Sequence, residues 1–198
     1  VVAETPVPTV NEIIKSLTGN PNKAFLYDYA LVEPIAKSKK SETIFRELEA
    51  KADNHQLRAR IYGLKAGVLY YEDVDPSNNS LGEEDRVSSA AKSEILELWK
   101  KAMNEAYLSG DDRLIAVASI FYGNSCSIMK ELELAVTYTM NGLELNEKLG
   151  VTNSPENYMV VGEILYKIRE YKECVKNSIK AFKIFETRKR ESDTALMM

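Results

Sequence analysis

The chain has 198 residues, of which 44% are hydrophobic and 28% are charged. This composition is normal for a folded domain with a sizeable core. The formal net charge of −4 and the lack of a basic stripe along any predicted helix argue against a nucleic-acid-binding protein. Since no run of 18 apolar residues occurs, we expect no membrane insertion by this sequence.

The two ends of the sequence suggest a longer protein. The first residues, VVAETPVPTV, contain two prolines and no methionine. They would fit an exported, periplasmic protein after removal of a signal peptide; otherwise the chain is expected to be cytoplasmic. The last residues, RESDTALMM, resemble a polar cap followed by the first turn of another helix.

Hydrophobic residues recur with helical spacing along almost the whole chain, and no segment alternates as a strand would. The fold class is therefore predicted to be all-α. Helices are predicted, in chain order, at residues 9–18, 22–37, 41–52, 55–72, 88–108, 112–129, 132–149, 155–169 and 171–190.

Several predicted helix ends carry the residues that usually cap them. Thr9 with Glu12 forms a capping-box pattern, Ser41 precedes an amphipathic run, and Ser154 is followed by a proline. Glycines in LSGDD and KLGVTNSP are typical of helix C-termini. Pro34, inside the second predicted helix, is expected to kink or split that helix.

The spacing of small residues indicates a repeat. Gly162 is followed by Ala181 after 19 positions, and Gly123 is followed by Gly142 after the same interval. Glycine costs about 1 kcal/mol relative to alanine inside a helix, so its use there indicates a close contact that compensates for the loss. We expect two paired helices in each repeat, with the small residues where the helices cross.

A third copy runs from Gly67 to Ala102 and is 16 residues longer. Its extra length includes the segment 73–87, DVDPSNNSLGEEDRV, which contains a proline, a glycine, two asparagines and five acidic residues. This composition predicts an acidic loop inserted between the two helices of that copy.

These copies resemble the tetratricopeptide repeat. The resemblance implies a right-handed solenoid of antiparallel helix pairs that acts as a protein–protein interaction scaffold. The 39-residue period and the long second helices are similar to the degenerate repeats of bacterial sensor and regulatory proteins. The positions that carry the resemblance are Gly162, Leu165, Tyr171, Cys174 and Ala181, with Gly123, Leu132, Ala135 and Gly142 in the preceding copy.

The resemblance covers most of the chain and divides it into four parts. We expect an N-terminal tail at 1–8, one or more helix pairs at 9–54, three repeats at 55–190, and the start of a further helix or a truncated end at 191–198.

Tetratricopeptide arrays line a concave groove with the first helix of each pair. A mixed apolar surface with two tyrosines favours an amphipathic or apolar helix as the ligand, either a partner's peptide or a segment of the same protein. A clamp for a peptide's C-terminal carboxylate is not expected, because three predicted groove positions that would need polar or basic groups are apolar. Carried over to this chain, the pattern places in the groove Leu64, Val68, Tyr71, Ile120, Asn124, Ile128, Met159, Glu163 and Tyr166.

From this resemblance we expect the input or scaffolding region of a larger bacterial signalling or regulatory protein. Two alternatives stay open: a free-standing adaptor, and a small-ligand or calcium receptor that uses the acidic insert. Asp73, Asp75, Ser77, Asn79 and Glu84 have the alternating spacing of an EF-hand-like loop. The loop lacks the glycine of the sharp turn, however, so a solvated insert is favoured over a metal site.

No pattern in the sequence indicates an enzyme or a cofactor. The single histidine, His55, lies in a polar turn, where a capping or surface role is expected rather than catalysis or metal binding. Cys126 and Cys174 occupy apolar helix faces and are interpreted as free buried thiols, with a disulfide as the alternative. The expected partner is a protein or peptide, and the sequence does not indicate an oligomeric state.

Overall fold

The computed structural model describes residues 6–19, 29–73 and 88–195, with side chains as far as Lys189. Within these ranges the chain forms α-helices and one short 3-10 turn, and no strand, which confirms the all-α prediction. The elements are, in chain order, α1 (Val10–Thr18), the 3-10 turn (Tyr29–Leu31), α2 (Val32–Lys37), α3 (Ser41–Lys51), α4 (His55–Asp73), α5 (Ser89–Ser109), α6 (Asp112–Ile128), α7 (Leu132–Lys148), α8 (Pro155–Lys167) and α9 (Tyr171–Ala195).

The predicted caps are present at several helix ends. The Thr9 hydroxyl accepts a hydrogen bond from the backbone of Glu12, and the Glu12 carboxylate accepts one from the backbone of Thr9, so α1 begins with a full capping box. Gly110 and Gly150 follow α5 and α7 with φ of 68° each, a left-handed conformation that favours glycine.

One sequence-based expectation about a helix end is corrected. Ser41 is the first residue of α3 rather than its cap, and the capping position is held by Lys40, whose side chain makes no capping hydrogen bond. Pro34 lies in the first turn of α2, where the missing backbone N–H has no intrahelical partner to lose. The α-helix therefore starts just before this proline instead of bending at it, and residues 22–28 of the predicted helix lie outside the described part.

The last six helices pack most extensively on a neighbour in sequence: α4 on α5, α6 on α7, and α8 on α9. Further contacts of α5 with α6 and of α7 with α8 join these pairs, while α1, α2 and α3 pack on α4. A continuous apolar core extends from Ile13 in α1 to Ile164 in α8. A smaller cluster around Leu143 and Val161 fills the space between α6, α7, α8 and α9.

Gly123 and Gly142 lie where α6 and α7 are in close contact. A Cβ atom on Gly123 would stand 2.3 Å from Thr139 Oγ1 and 2.7 Å from the Thr139 backbone nitrogen. A Cβ atom on Gly142 would stand 2.5 Å from the Ala116 carbonyl oxygen. Since these neighbours are largely backbone atoms, any side chain at either glycine would push the two helices apart.

The following copy is less tightly packed at the equivalent position. A Cβ atom on Gly162 would lie 3.3 Å from Ser178 Oγ and 3.7 Å from the Cys174 carbonyl oxygen. These distances require only a small adjustment of the serine side chain. The contact explanation thus holds strongly for Gly123 and Gly142, and only weakly for Gly162.

This contrast predicts opposite results for two alanine substitutions. Gly123→Ala should lower the free energy of unfolding by at least about 2 kcal/mol, because helix backbones cannot yield as a side chain can. Gly162→Ala should change it by no more than about 1 kcal/mol in either direction, since the better helix propensity of alanine offsets the tight contact. Urea unfolding followed by circular dichroism measures both. Equal destabilisation by the two substitutions would contradict the packing difference.

Candidate functional site

Two cavities lie side by side along one face of α6. They share Tyr29, Phe121 and Asn124 as lining residues, and their volumes are about 480 and 430 Å³. Each is within the range of roughly 300–1,000 Å³ that small-ligand pockets occupy. Together they form a continuous depression, which we call the α6 groove, with two chemically different halves.

The smaller half of the groove is apolar and aromatic. Trp99 of α5 stacks on Phe121 of α6 with ring centroids 4.7 Å apart and planes 8° apart. Tyr71 from the end of α4 and Ile128 from the end of α6 line the same half. Such a surface binds apolar side chains and offers few polar groups to orient them.

The larger half of the groove is more polar than the smaller half, and we call it the polar half. Arg113 of α6 and Arg188 of α9 line it together with a cluster of asparagines, and the asparagines come from α6, α7, α8 and the connection between α7 and α8. The asparagines of this half are Asn124, Asn146, Asn153 and Asn157.

Asn153 holds the wall of the polar half in place. Its amide donates hydrogen bonds to the Leu143 carbonyl at 2.9 Å and to the Tyr158 hydroxyl at 2.9 Å, and its carbonyl accepts one from Asn146 at 2.8 Å. Asn153 is only 4% exposed, so all of these groups are satisfied within the protein, as buried polar groups must be. The connection between α7 and α8 is therefore fixed rather than adaptable.

Asn124 differs from the other asparagines because part of its side chain is unsatisfied. It lines both halves of the groove, and its Oδ1 atom is buried and has no hydrogen-bond partner among the described residues. Because Asn124 lines the groove, a ligand that offers an N–H or O–H at this point can donate a hydrogen bond to this oxygen.

Four of the predicted groove residues lie on these cavities. Tyr71 and Ile128 line the apolar half, Ile120 lines the polar half, and Asn124 lines both. Among the predicted groove residues, Asn124 is the one that lines both halves.

The other predicted groove residues lie elsewhere. Leu64 and Val68 are 0% and 1% exposed, so they belong to the core and are withdrawn from the candidate surface. Met159, Glu163 and Tyr166 are exposed on α8 but line neither cavity. The groove assignment from the resemblance stays a prediction, and it did not include the tertiary packing that buries this face of α4.

Sequence reasoning missed the residues that come from outside the first helices. Trp99 belongs to α5 and Tyr29 to the short 3-10 turn, and neither position is part of the predicted groove pattern. Thr152, Asn153 and Ser154 in the connection between α7 and α8 were interpreted only as part of a helix boundary. Three consecutive polar residues in so short a connection were the one available signal for the polar half.

Several other candidate residues take structural roles. His55 is the first residue of α4 and contacts Glu105 of α5 at 2.7 Å, while Asn54 caps the helix through the Leu57 backbone. Cys126 is buried, Cys174 is partly buried, and both are free thiols.

Only one ligand position of the predicted calcium loop can be placed. The Asp73 carboxylate accepts hydrogen bonds from the Ser88 backbone and hydroxyl at 2.5 and 3.0 Å, which ties the end of α4 to the start of α5. Residues 74–87, with the other four positions, lie outside the described part of the chain. Among the described residues, no group of three or more His, Cys, Asp or Glu side chains is arranged to hold a metal ion.

No protein-family model matches this chain, and no curated protein is significantly similar to it. None of the described helices has the length and apolar character needed to cross a membrane. The site must therefore be interpreted from its own chemistry.

A charged network is connected to the polar half of the groove through Tyr158, whose hydroxyl accepts a hydrogen bond from Asn153. Lys180 of α9 and the Tyr158 hydroxyl both donate hydrogen bonds to Glu147 of α7, at 2.8 and 2.5 Å. These bonds, first that of Lys180, lower the pKa of the Glu147 carboxyl below its usual value. Burial, together with the hydrogen bond to Glu147, raises the pKa of Tyr158 to about 12.

The network predicts a loss of stability at acid pH. Because the pKa of Glu147 is lower in the folded state, its contribution is present above the unfolded value of about 4.3 and is lost as the pH falls through the folded value. Glu147→Gln should thus be less stable than the wild type at neutral pH, by up to about 1 kcal/mol for this half-exposed pair. The difference should shrink towards about pH 3.

Thermal unfolding at several pH values tests this expectation. Glu144→Gln is the matched control, because Glu144 is exposed on the same helix and makes no ion pair with any described residue. A difference between Glu147→Gln and the wild type that is constant over the whole pH range would show that the carboxylate is not held by its donors.

Proposed function

We propose that the chain is a protein-interaction module that binds an amphipathic segment in the α6 groove. The observation that carries this proposal is the pair of adjoining cavities, one apolar and one polar, which meet at Asn124. An extended surface of mixed chemistry suits a peptide or helix better than a compact metabolite, because apolar anchors and polar groups alternate along such a ligand.

The two halves would make different contributions to ligand binding. Apolar side chains of the ligand enter the half lined by Trp99, Tyr71 and Ile128, where burial contributes about 25 cal/mol for each Å² removed from water. A backbone or side-chain N–H of the ligand donates to Asn124 Oδ1, which accepts no hydrogen bond from the described residues. Affinity would come chiefly from the first half and orientation from the second.

A solenoid of tetratricopeptide-like helix pairs is the architecture that we propose for this module. The packing of α4 on α5, α6 on α7 and α8 on α9 supports it, as do the small residues at equal spacing in two of these pairs. In such an array α4, α6 and α8 would be the first helices of their pairs, so the α6 groove would lie on the concave side.

Within this proposal the chain serves as the input or scaffolding region of a larger bacterial signalling or regulatory protein, and the groove holds either a partner's segment or a segment of the same protein. A free-standing adaptor would use the same groove for a peptide of another protein. The chemistry of the groove is the same in both versions.

A small-ligand receptor is the second candidate function. The polar half of about 480 Å³ with its arginines and asparagines favours it, since a few convergent polar groups in a cavity of this size are typical of ligand pockets. Native mass spectrometry of the protein purified from its source cells distinguishes the two, because a retained small molecule adds a discrete mass.

A photo-crosslinking experiment tests the peptide-binding proposal. A benzophenone amino acid replaces Tyr71 beside the apolar half in one variant and Tyr107 in the control variant, and these two tyrosines are similarly exposed, by 41% and 52%. Tyr107 lies on α5 and lines neither cavity. In source cells, we expect a discrete crosslinked product from position 71, at least tenfold stronger than from position 107.

A second substitution connects that product with the groove. Ile128→Ser added to the position-71 variant should reduce the product at least tenfold, with the helical circular dichroism spectrum unchanged. Equal products from both positions, or a product that is insensitive to Ile128→Ser, would refute binding in the α6 groove.

A further inference from the structure

The helix α9 carries an apolar stripe that no described part of the protein covers. Its residues are separated by three or four positions, which places them on one side of the helix, while Asn177 and Ala181 face inward with 3% exposure each. Single exposed apolar residues are common on protein surfaces, but a continuous stripe marks a contact surface. The stripe consists of Tyr171, Val175, Ile179, Phe182 and Phe185, which are exposed by between 42% and 67%.

We propose that the α9 stripe docks an amphipathic α-helix that carries acidic residues along one edge of its apolar face. This surface is separate from the α6 groove, and the proposal does not depend on what the groove binds. It is supported by the shape of the stripe and by the charged residues beside it. The same charges disfavour two other partners, a second copy of the chain and an anionic membrane.

The shape of the stripe matches a helix. From Tyr171 to Phe185 it extends over roughly 21 Å, or about four helical turns. At its start the Tyr171 ring meets the edge of Tyr166 of α8, with ring centroids 5.7 Å apart, so the apolar surface widens into the space between two helices. Ridges of side chains at this spacing are the surface on which another helix packs.

The charge beside the stripe selects an acidic partner. Residues 171–189 include six basic and two acidic residues, although the whole chain has a net charge of −4. Lys172 and Lys183 are eleven positions apart, close to three turns, so they lie on the same edge of the helix. Neither has an ion pair among the described residues, whereas Lys176 and Lys180 each contact a glutamate.

The two unpaired lysines therefore complement two carboxylates that are about three turns apart on the incoming helix. Each such pair lies at the rim of the contact, where it contributes little affinity and chiefly sets orientation and partner choice. The apolar stripe between them supplies the affinity.

The same charge disfavours two other occupants. In a symmetric dimer, two copies of α9 would face each other and bring their lysines together, at a cost in free energy. An anionic membrane would attract the lysines but repel the protein as a whole, which has a net charge of −4.

The test uses two synthetic helical peptides as probes, each of about 18 residues, which is roughly 27 Å as a helix. Both have the same leucine face; one carries glutamates about three turns apart at its edge, and the other carries lysines at those two places. Fluorescence anisotropy with the full chain at low ionic strength should show at least tenfold tighter binding of the glutamate peptide. Equal affinity for the two peptides would overturn the proposal.

Variants of the protein locate the binding site. Phe182→Ser should weaken binding of the glutamate peptide at least tenfold without changing the melting temperature, because this side chain is 67% exposed. Leu108→Ser on α5 is the matched control at 65% exposure and should leave the affinity unchanged. The double substitution Lys172→Glu with Lys183→Glu should reverse the preference towards the lysine peptide. Unchanged affinity in Phe182→Ser would overturn the proposal.

Two further outcomes would show that the stripe binds something other than an acidic helix. A dimer in analytical ultracentrifugation that becomes monomeric in Phe182→Ser would show that the stripe binds a second copy. Binding to phosphatidylglycerol vesicles without binding to either peptide would show a membrane surface. The crosslink at position 71 should still form in Phe182→Ser, because no residue of the stripe lines the groove, so a loss of peptide binding here is distinguishable from failure of the α6 groove.

Discussion

The close approach of α6 and α7 is the constraint on which the rest of the structure depends. At Gly123 and Gly142 each helix lies against the backbone of the other, with no room for a Cβ atom on either side. Dispersion contacts at this distance are dense, and the buried Thr139 side chain fits directly against Gly123. Because α6 carries residues of both cavities, a change in this distance would alter the whole groove.

A buried hydrogen-bond network, rather than an apolar contact, sets where α8 begins relative to α7. Asn153 joins the end of α7 to the start of α8 by hydrogen bonds to a backbone carbonyl, an asparagine and a tyrosine. Because every member of this buried network has a hydrogen-bond partner, only a narrow range of geometries is allowed. The network therefore fixes the conformation of the connection between α7 and α8, which a flexible loop would not do. If one polar group of the network is removed, the remaining groups stay buried without hydrogen-bond partners, which destabilises the protein.

The sequence predicted the helices well and the site only in part, and the reason differs between the two. Helix positions depend on local periodicity, caps and the glycines after α5 and α7, all of which can be read within a few residues. Gly123 and Gly142 also revealed their contact, because glycine inside a helix needs a reason. Leu64 and Val68 are buried in the core, and their burial depends on how the other helices pack on α4, which local periodicity does not reveal.

The polar half of the groove could not be predicted for a related reason. Its residues come from α6, α7, α8, α9 and a connection, and nothing local in the sequence indicates that they converge. Asn124 was predicted from its position on α6, whereas the missing partner of its Oδ1 atom depends on the tertiary arrangement. Side chains that are satisfied, such as Asn153, and side chains that are not, such as Asn124, look the same in a sequence.

The helix α9 connects the two candidate surfaces because it contributes to both. Arg188 lines the polar half of the groove, while Phe185, three residues earlier, belongs to the exposed stripe. A helix with intact backbone hydrogen bonds moves as a rigid rod over so short a distance. A partner helix that shifts α9 from the stripe side would therefore also move the cationic wall of the groove. By the reciprocity of binding free energies, a ligand that holds Arg188 in the groove would affect docking at the stripe to the same degree.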